Sequence, residues 1–408
     1  MDFTLAAEQR AWRDRARDFA QGTIRPQAAA LDRAGEFPDA IVAEMARRGF
    51  LGLTLPPEWG GSGGDTIAYC LVLEELARAD AGIAITVEAH ISLGCAPLVA
   101  FGTPEQRARF LPALASGARL WAFGLTEAGA GTDAGGTATV ATLDDRGWTI
   151  DGAKRYITNG GTPRTAGVTV LARTGTRPDG RPELSTLLVP QETPGYTRGP
   201  AHETLGWRTA NQVPLHFAAC RVPADHLLGP RGAGLRQFLQ ILDGGRIAVG
   251  ALAVGLAQAC LDEALDHARH RHQFGRAIGG FQAIQLKLAD MATEIESARG
   301  LVLRAAWLKD RGEPFGREAS MAKVFASEAA KRAADNAAQI LGGAGFLAAS
   351  AVARYWRQVK INEIGEGTSE INRQIIARGL LADADALLAG IGTDHTIEAS
   401  DEAAQTPG

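Results

Sequence analysis

The spacing of apolar residues changes twice along the chain and divides it into three parts. From residue 5 to about 118, apolar positions recur three and four apart, as at Leu73 and Leu76, which predicts a first helical domain. Prolines and glycines interrupt this pattern between residues 55 and 64, where we expect a surface loop. A further helix is predicted to begin after Thr103, which is an N-cap candidate.

From about residue 119 to 228 the pattern changes to alternating or continuous β-branched and apolar runs, which predict strands. The four clearest runs are 147–150, 168–171, 184–189 and 213–217. Turn signals at Asp144–Gly147 and Arg177–Gly180 separate them. We therefore predict a compact antiparallel β-domain between two helical regions.

Beyond Gly232 the helical period returns and continues to about Asp385, most clearly from Ile284 to Ala305. Breaks divide this region into four or five helices, a number typical of an antiparallel bundle. The breaks fall at 272–275, 311–314 and 342–345. From about Ala386 the apolar period is lost, so we predict a disordered tail.

The predicted fold class is α+β and mainly α, in three domains and a tail. The N-terminal helical domain is assigned to residues 1–118, the middle β-domain to 119–232, the C-terminal helical bundle to 233–385 and the tail to 386–408. A chain of 408 residues is long enough to bury a core in each of these domains.

Composition and charge narrow the class of protein. The chain has 46% hydrophobic and 22% charged residues and a net charge of -4, without a long basic run, which argues against nucleic acid as a partner. Its four cysteines lie far apart, so neither a zinc site nor a disulfide framework is predicted, and a reducing cytoplasm is the default location. We read no signal peptide and no apolar run near the ~20 residues of a membrane span.

The stretch from Ile364 to Glu370 is the first candidate for chemistry. Glu366 stands between Gly365 and Gly367, so a ligand can approach its carboxylate closely, as a general base requires. The structural alternative is that the glycines end one helix while Thr368 caps the next. Both interpretations are compatible.

A second candidate is the glycine-rich loop Leu125–Asp133. Glycines there leave backbone N–H groups free to face polar ligand atoms, and Thr126 and Thr132 add hydroxyl groups. A plain tight turn is an equally good interpretation of the pattern alone. The loop lacks the Gly-Lys-Ser/Thr of a P-loop and does not form GxGxxG after a strand, which disfavours a nucleoside triphosphatase or a Rossmann dehydrogenase.

Several motifs together resemble the acyl-CoA dehydrogenase family, which are flavoproteins. The loop Thr126–Asp133 is similar to the family's T-E-x-G-A-G-S/T-D. The further matching segments, in family order between about Asp2 and Leu381, are 156–160, 271–275, 281–282, 339–343 and 366–368. The resemblance implies a helical domain, a β-domain and a four-helix bundle, which the periodicities predict independently.

The resemblance implies one FAD for each subunit, with two groups of flavin contacts. One group lies on the same chain as the catalytic base and the other reaches the FAD of a neighbouring subunit, with Arg271 placed against the pyrophosphate. The first group comprises Phe123, Leu125, Thr126, Gly131, Thr132, Tyr156, Ile157, Thr158, Thr368, Ser369 and Glu370. The second comprises Arg271, Phe274, Gln282, Gln339, Ile340, Leu341, Gly342 and Gly343.

The resemblance also implies a substrate site for an acyl-CoA thioester and assigns the base. Glu366 would remove the α-proton, because relatives place the base either there or at the position of Gly245, which has no side-chain acceptor. The substrate contacts implied are Thr132, Asp243, Gly244, Gly245, Arg246 and Gly367. Asp243 and Arg246 are three apart on a predicted helix, so a surface ion pair is the structural alternative.

Two further features bear on metal binding and substrate choice. His267, His270 and His272 are close in sequence, but the neighbouring arginines would repel a cation, so no metal is predicted. The segment Ala89–Pro97 resembles short-chain members of the family, which implies a short acyl chain. Several members have a tyrosine at the position of Gly365. We interpret the space left by the missing side chain as room for a branched acyl chain.

The implied enzyme is an FAD-dependent acyl-CoA dehydrogenase of fatty acid metabolism that forms a trans-2-enoyl-CoA. The resemblance implies a homotetramer, a dimer of dimers, that passes electrons to electron-transfer flavoprotein, and the cytoplasm is the default location from the cysteine usage. One alternative is an acyl-CoA oxidase or related oxidase that uses oxygen. An alternative of another class is a non-catalytic helical binding or assembly protein, whose preparation would be colourless.

Overall fold

The computed structural model describes residues 4–393, and side chains as far as Asp383. The N-terminal domain is helical, as predicted, and the loop at 55–64 contains a single 3-10 turn. Thr103 caps its helix through a capping box with Gln106. The helices are α1 Ala7–Phe19, α2 Arg25–Ala34, α3 Asp39–Arg47, α4 Thr66–Ala79, α5 Ala81–Glu88, α6 Ala96–Phe101 and α7 Pro104–Ala115.

Two stretches in this domain, Ala20–Ile24 and Ala89–Cys95, form π-helical turns, in which backbone hydrogen bonds join residues five apart. The second joins α5 to α6 in a continuous apolar helix, Ala81–Phe101, which is long enough to cross a membrane. The helix Gly234–His270 also meets that criterion, so the expectation that no apolar run approaches 20 residues is wrong. In both helices most of the apolar window, 78% and 83% of it, is covered by protein, as in core helices of a folded domain.

The middle domain is a seven-stranded sheet in which β1, β4, β2, β3, β7 and β6 follow each other and β5 pairs with β4. The predicted strands and the turn before Gly147 are confirmed, but the sheet is mixed. β4 runs parallel to both β1 and β2, because these pairs are not joined by a hairpin. The strands are β1 Leu120–Gly124, β2 Val140–Asp144, β3 Gly147–Thr158, β4 Thr165–Thr176, β5 Pro182–Pro190, β6 Tyr196–Arg198 and β7 Gln212–Val222.

The C-terminal domain is a helical bundle in which α9 buries the predicted stripe that includes Met291, Ile295 and Val302. Its helices are α8 Gly234–His270, α9 Gln282–Asp310, α10 Gly316–Leu341, α11 Gly343–Phe346, α12 Ala351–Val359 and α13 Ser369–Thr393. A two-stranded ribbon, β8 His272–Gln273 and β9 Arg276–Ala277, separates α8 from α9. Helix α13 continues through residues 386–393, which were predicted to be disordered. The rest of that predicted tail lies outside the described residues.

A buried polar cluster joins the three domains behind the site. Asp80, at the start of α5, accepts hydrogen bonds from Arg354 (2.5 Å) and Gln358 (2.9 Å) of α12 and from Thr209 of the middle domain (3.0 Å). Asn159, at the end of β3, donates to the Thr86 carbonyl of α5 at 3.0 Å. Because buried charges are tolerated only when they are paired, these contacts hold α5 in one position relative to the other domains.

Candidate active site

Glu366 lies in a short loop between a 3-10 turn at Lys360–Glu363 and helix α13. Its backbone φ is 54° and that of Gly367 is 98°, both in the left-handed region. Lys323 of α10 donates to the Gly367 carbonyl at 2.6 Å, and Asn372 of α13 donates to it at 2.9 Å. These two donors stabilise a backbone conformation that is unusual for glutamate.

The helix cap proposed as the structural alternative is also present. Helix α13 begins at Ser369, so Thr368 occupies its N-cap position, and the Asn372 N–H donates to the Thr368 carbonyl at 3.0 Å. Glu370 is exposed in the first turn, where its carboxylate faces the positive end of the helix dipole. The stretch therefore both ends one element and presents Glu366.

The carboxylate of Glu366 occupies the space next to Gly245 on α8. A Cβ atom built on Gly245 would lie 1.8 Å from Glu366 Oε2 and 3.4 Å from Leu93 Cδ2. No real Cβ atom can be that close to an oxygen. Gly245 is therefore required for Glu366 to lie here, which agrees with the assignment of the base to Glu366 rather than to position 245.

Burial dominates the electrostatics of Glu366. It raises the pKa of the carboxyl group from 4.5 to about 7, although a hydrogen bond with Glu88 and the charges of Lys323 and Arg246 oppose the rise. The residue as a whole is partly accessible, but its Oε2 atom is shielded and has no partner among the described residues, leaving aside the Glu88 carboxyl. A carboxylate with a pKa near neutrality is suited to proton abstraction.

Two cations face this carboxylate. Burial lowers the pKa of Lys323 to about 8, and the charge of Glu366 is the main effect that opposes the decrease. Arg246 on α8 is buried and pairs with Asp243, so the surface ion pair considered as an alternative is excluded. The Arg246 Nε atom lies 4.0 Å from a Cβ built on Gly367, beside the Glu366 loop. It is buried without a hydrogen-bond partner in the described chain, and burial lowers the pKa of the guanidinium group.

Glu127 anchors the glycine-rich loop from below. Its carboxylate accepts from Lys154 (2.6 Å), from both the N–H and the hydroxyl group of Thr139 (3.1 and 2.6 Å), from Thr137 (2.8 Å) and from the Ala138 N–H (2.7 Å). Burial alone would raise the pKa of Glu127, but the hydrogen bonds from Lys154 and Thr139 outweigh it and hold the pKa at about 2. The glutamate of this motif is thus structural in this chain.

The loop above this anchor is open. Cβ atoms built on Gly129 and Gly131 would meet no atom within 4 Å, and Thr132 is exposed. Thr126 is partly buried and fixed to β3, because its carbonyl accepts from the Arg155 N–H at 2.8 Å. The loop is therefore a rigid shelf that a ligand can contact rather than only a tight turn.

Four apolar residues of the predicted flavin site, two aromatic and two aliphatic, differ in how exposed they are. Phe123 stacks on Phe238 with ring centroids 4.2 Å apart, and Leu125 packs against the same cluster. Tyr156 is 56% exposed at a bulge in β3, with φ 60°. The Ile157 side chain is only 2% exposed and packs into the β-domain core, so the predicted contact with a flavin is left to the backbone of this residue.

The hydroxyl groups expected near a flavin are available. Thr158 is partly buried and has a single weak contact, from Gln212 at 3.4 Å. Ser369 Oγ is buried and has no hydrogen-bond partner in the part of the chain that the structure describes. An orphaned buried hydroxyl and a glycine shelf fit a polar ligand, so the residues present are suited to hold a flavin.

The residues expected to reach a neighbour's FAD lie at the surface of the bundle, where most of them are exposed. Phe274 is 93% exposed, with φ 50°. Arg271, Gln282, Gln339, Gly342 and Gly343 are exposed as well, and Leu341 is partly buried. Ile340 is buried in the helical core, so its side chain is not available to a ligand. Nothing in the single chain brings this group to Glu366.

The histidines near residue 270 form no metal site in the structure. His270 Nδ1 lies 3.2 Å from the Asp266 carboxylate, and both side chains are exposed. Among residues 4–383 no three His, Cys, Asp or Glu side chains are grouped as metal ligands.

Two residues at the site were missed from the sequence. Glu88 is buried, and the charge of Glu366 helps to raise its pKa, while Lys323 donates to the Glu366 loop. The available signals were a lone glutamate in the apolar run from Ala81 to Ala89 and a lone lysine on the alanine-rich face of α10. Such polar residues at core positions need a partner.

The fold combines a helical domain, a mixed β-domain and a helical bundle. The site adds an open glycine shelf and a buried carboxylate of raised pKa, and together these features are those of a flavin-binding oxidoreductase. The family models for the acyl-CoA dehydrogenase N-terminal, middle and C-terminal domains match residues 6–118, 122–220 and 232–381. The chain belongs to the acyl-CoA dehydrogenase family, which is a family of enzymes that depend on FAD.

Individual relatives are similar over nearly their whole length. The probable acyl-CoA dehydrogenase YngJ of Bacillus subtilis is 49% identical, over 93% of this chain and 100% of its own. Butyryl-CoA dehydrogenase of Megasphaera elsdenii has a TM-score of 0.91 and 40% identity, over 93% of this chain and 100% of its own. A chain in a solved structure of the electron transferring flavoprotein of Acidaminococcus fermentans has a TM-score of 0.90 and 39% identity, with the same coverage.

Proposed function

We propose that the protein catalyses α,β-dehydrogenation of a short acyl-CoA thioester to the trans-2-enoyl-CoA, with Glu366 as the base. The observation that carries this proposal is the carboxylate itself. It is shielded on one oxygen, its pKa is raised to about 7, and it lies in a loop that two donors hold in one conformation.

The residues around Glu366 supply positioning. Its carboxylate takes the α-proton, and bound FAD would accept the hydride that leaves the β-carbon. The Thr126–Thr132 shelf, Tyr156 and Thr158 would hold the flavin, with the Thr158 hydroxyl free to donate. Because a thioester α-proton is a weak acid, donors to the thioester oxygen and the exclusion of water must lower the barrier.

The CoA part of the substrate is assigned to the third turn of α8, around Asp243 and Gly244. Asp243 is partly exposed, and burial raises the pKa of its carboxyl group although the charge of Arg246 opposes this. Gly244 presents backbone close to Lys309, whose Nζ atom lies 3.2 Å from a Cβ built there. Polar and cationic groups in this arrangement suit an anionic, amide-rich ligand.

A short acyl chain, straight or branched, is the proposed substrate class. The similarity to butyryl-CoA dehydrogenase supports the short chain. A Cβ built on Gly365 would meet only Ile361, at 3.5 Å or more, so there is open space at this position. The backbone φ of Gly365 is not positive, so its conformation does not require glycine. That opening supports room for a methyl branch.

Electron-transfer flavoprotein is the proposed acceptor, and a homotetramer in the cytoplasm is the proposed state. The similarity to a chain found with an electron transferring flavoprotein supports the first. The exposed Phe274 and Phe346, 93% and 92% accessible in the single chain, support a further subunit covering the bundle end.

The test is anaerobic mixing of the purified yellow protein with C4, C8 and C16 acyl-CoA esters while the flavin absorbance is followed. Each methylene accommodated in an apolar pocket is worth ~0.8 kcal/mol, so the kcat/KM values for the three esters should differ steeply. C4 is expected to be preferred, because a pocket built for a short chain cannot accommodate the methylenes of C16. Reoxidation should be fast with electron-transfer flavoprotein and slow with oxygen. A protein that no acyl-CoA ester bleaches would refute the proposal, and rapid turnover with oxygen would indicate an oxidase.

A further inference from the structure

Glu88, the last residue of α5, is fully buried beside the candidate base. The Ser92 hydroxyl contacts both the Glu88 carbonyl, at 2.9 Å, and its Oε1 atom. Neither Glu88 Oε2 nor Glu366 Oε2 has any other partner within residues 4–383. The two orphaned oxygens belong to buried carboxyl groups that alter each other's pKa, and one proton shared between these groups would satisfy both oxygens.

A hydrogen bond between two carboxyl groups needs a proton, because an ionised carboxylate can only accept. The surroundings decide which group holds it. Lys323 and Arg246 face Glu366 and favour its anion, whereas burial and the Glu366 charge both raise the pKa of Glu88 well above its usual range. Glu88 is therefore the neutral partner.

We propose that Glu88 is a positioning residue that keeps its proton at neutral pH and donates it as a hydrogen bond to Oε2 of Glu366. The contact occupies the shielded oxygen and leaves Oε1 to take the substrate proton. It also stabilises the Glu366 anion, so that the base is ionised at a lower pH than burial alone would allow. The inference rests on the proposed role of Glu366 as the base.

Every neighbouring element contributes a group that faces this pair. Tyr69 of α4 donates to the Glu88 carbonyl at 3.2 Å, and burial and the two glutamates raise its pKa, so its hydroxyl stays neutral. Ser92 does not ionise. The remaining charges are Lys323 of α10, Arg246 of α8 and, facing Lys323, Glu363 and Glu370. Among the described residues, Glu88 and Glu366 are thus the two carboxyl groups that act on each other, while Glu363 and Glu370 act on Lys323.

Two substitutions separate the donated hydrogen bond from simple packing. Glu88→Gln keeps the size and an N–H donor but cannot titrate, whereas Glu88→Met keeps the size and removes the donor. The assay is the pH profile of kcat/KM with butyryl-CoA and an artificial electron acceptor. Its acid limb is the fall of kcat/KM at low pH, and in Glu88→Gln the apparent pKa of this limb should be that of the wild type. Glu88→Met should raise the apparent pKa of that limb by about one unit, which lowers the rate at pH 6 about tenfold and restores it above pH 8.

The matched control is Glu75→Gln. Glu75 is also a buried glutamate with one oxygen that lacks a hydrogen-bond partner in the described chain, but it forms ion pairs with Arg17 at 2.6 Å and Arg78 at 3.8 Å. Its replacement should leave the acid limb unchanged. A wild-type limb in Glu88→Met, or an equal shift in all three variants, would overturn the proposal. Should Glu88→Met fail to fold, Glu88→Leu, which also lacks a donor, should give the same shift of the acid limb.

A measurement that does not require catalytic turnover distinguishes a failure of this inference from a failure of the proposed function. Infrared spectra of the intact protein, compared between wild type and variant at pH 6 and again at pH 8, should show at both pH values a protonated carboxyl band that is lost in Glu88→Gln and retained in Glu75→Gln. If the band is there in a protein that no acyl-CoA bleaches, the proposed function fails and the shared proton stands. If Glu88 is ionised at pH 6, the inference fails whatever the activity.

Discussion

The substitution Glu366→Gln removes the ionisable group while keeping its size, and it tests burial and chemistry together. A pKa raised from 4.5 to about 7 means that ionisation is less favourable in the folded protein by about 3.4 kcal/mol, at about 1.36 kcal/mol for each pKa unit. That is an upper value, because the residue is partly accessible.

The sign of the pH dependence follows from the raised pKa. Below pH 4.5 Glu366 is protonated in both states, and the full stability is present. As the pH rises towards 7 the unfolded chain ionises first, so the folded protein loses stability that the glutamine variant keeps. A chain of 408 residues unfolds with about 0.86 kcal/mol/K of entropy, so the advantage of the variant should reach about 4 °C in Tm at pH 8.

Two measurements on the FAD-loaded protein check this reasoning. Scanning calorimetry at pH 5 and pH 8 gives the Tm difference between variant and wild type, which should grow with pH. Anaerobic mixing with butyryl-CoA gives the rate of flavin bleaching, which should fall by ~10²–10⁴-fold in the variant. A Tm difference independent of pH would show that Glu366 is not a buried acid. Bleaching at the wild-type rate with both ligands bound would place the base elsewhere.

The remaining predictions concern the base position, the shared cofactor and the loop anchor. Gly245→Ala should displace the Glu366 carboxylate and reduce the bleaching rate at least tenfold without loss of FAD, as absorbance and stopped-flow would show, and a wild-type rate would contradict the geometry. Arg271→Ala should remove a charge-assisted contact worth ~1.5–3 kcal/mol and weaken FAD retention about tenfold in a dialysis assay, and unchanged retention would contradict the shared site. Glu127→Gln should lower the Tm most at neutral pH, where the carboxylate pairs with Lys154, and the difference should shrink as the pH falls from 4.5 towards 2, because protonation removes the same pair in the wild type.

Local patterns were sufficient for much of the fold. The helix start at Thr103, the hairpin turn before Gly147 and the buried stripe on α9 depend on caps, turn residues and periods that act over a few residues, so the sequence predicts them. The parallel pairing of β4 with β1 and β2 depends on contacts between distant strands, and the antiparallel prediction missed it. The apolar helix Ala81–Phe101 likewise needed the structure, because length and composition do not reveal what covers a helix.

The site divides in the same way. Glu366 was predicted from its glycine neighbours and from the family motif, because both signals lie within a few residues of it in the sequence. The residues that act on its carboxyl group are Glu88 of α5, Arg246 of α8 and Lys323 of α10. Glu88, the most distant, is 278 positions before Glu366 in the sequence. The fit of the Glu366 carboxylate over Gly245, the proton donated by Glu88 and the burial that raises the pKa arise only where these helices pack together. Sequence alone therefore predicted Glu366 as the base, and the packing of these helices determines the protonation of its carboxyl group.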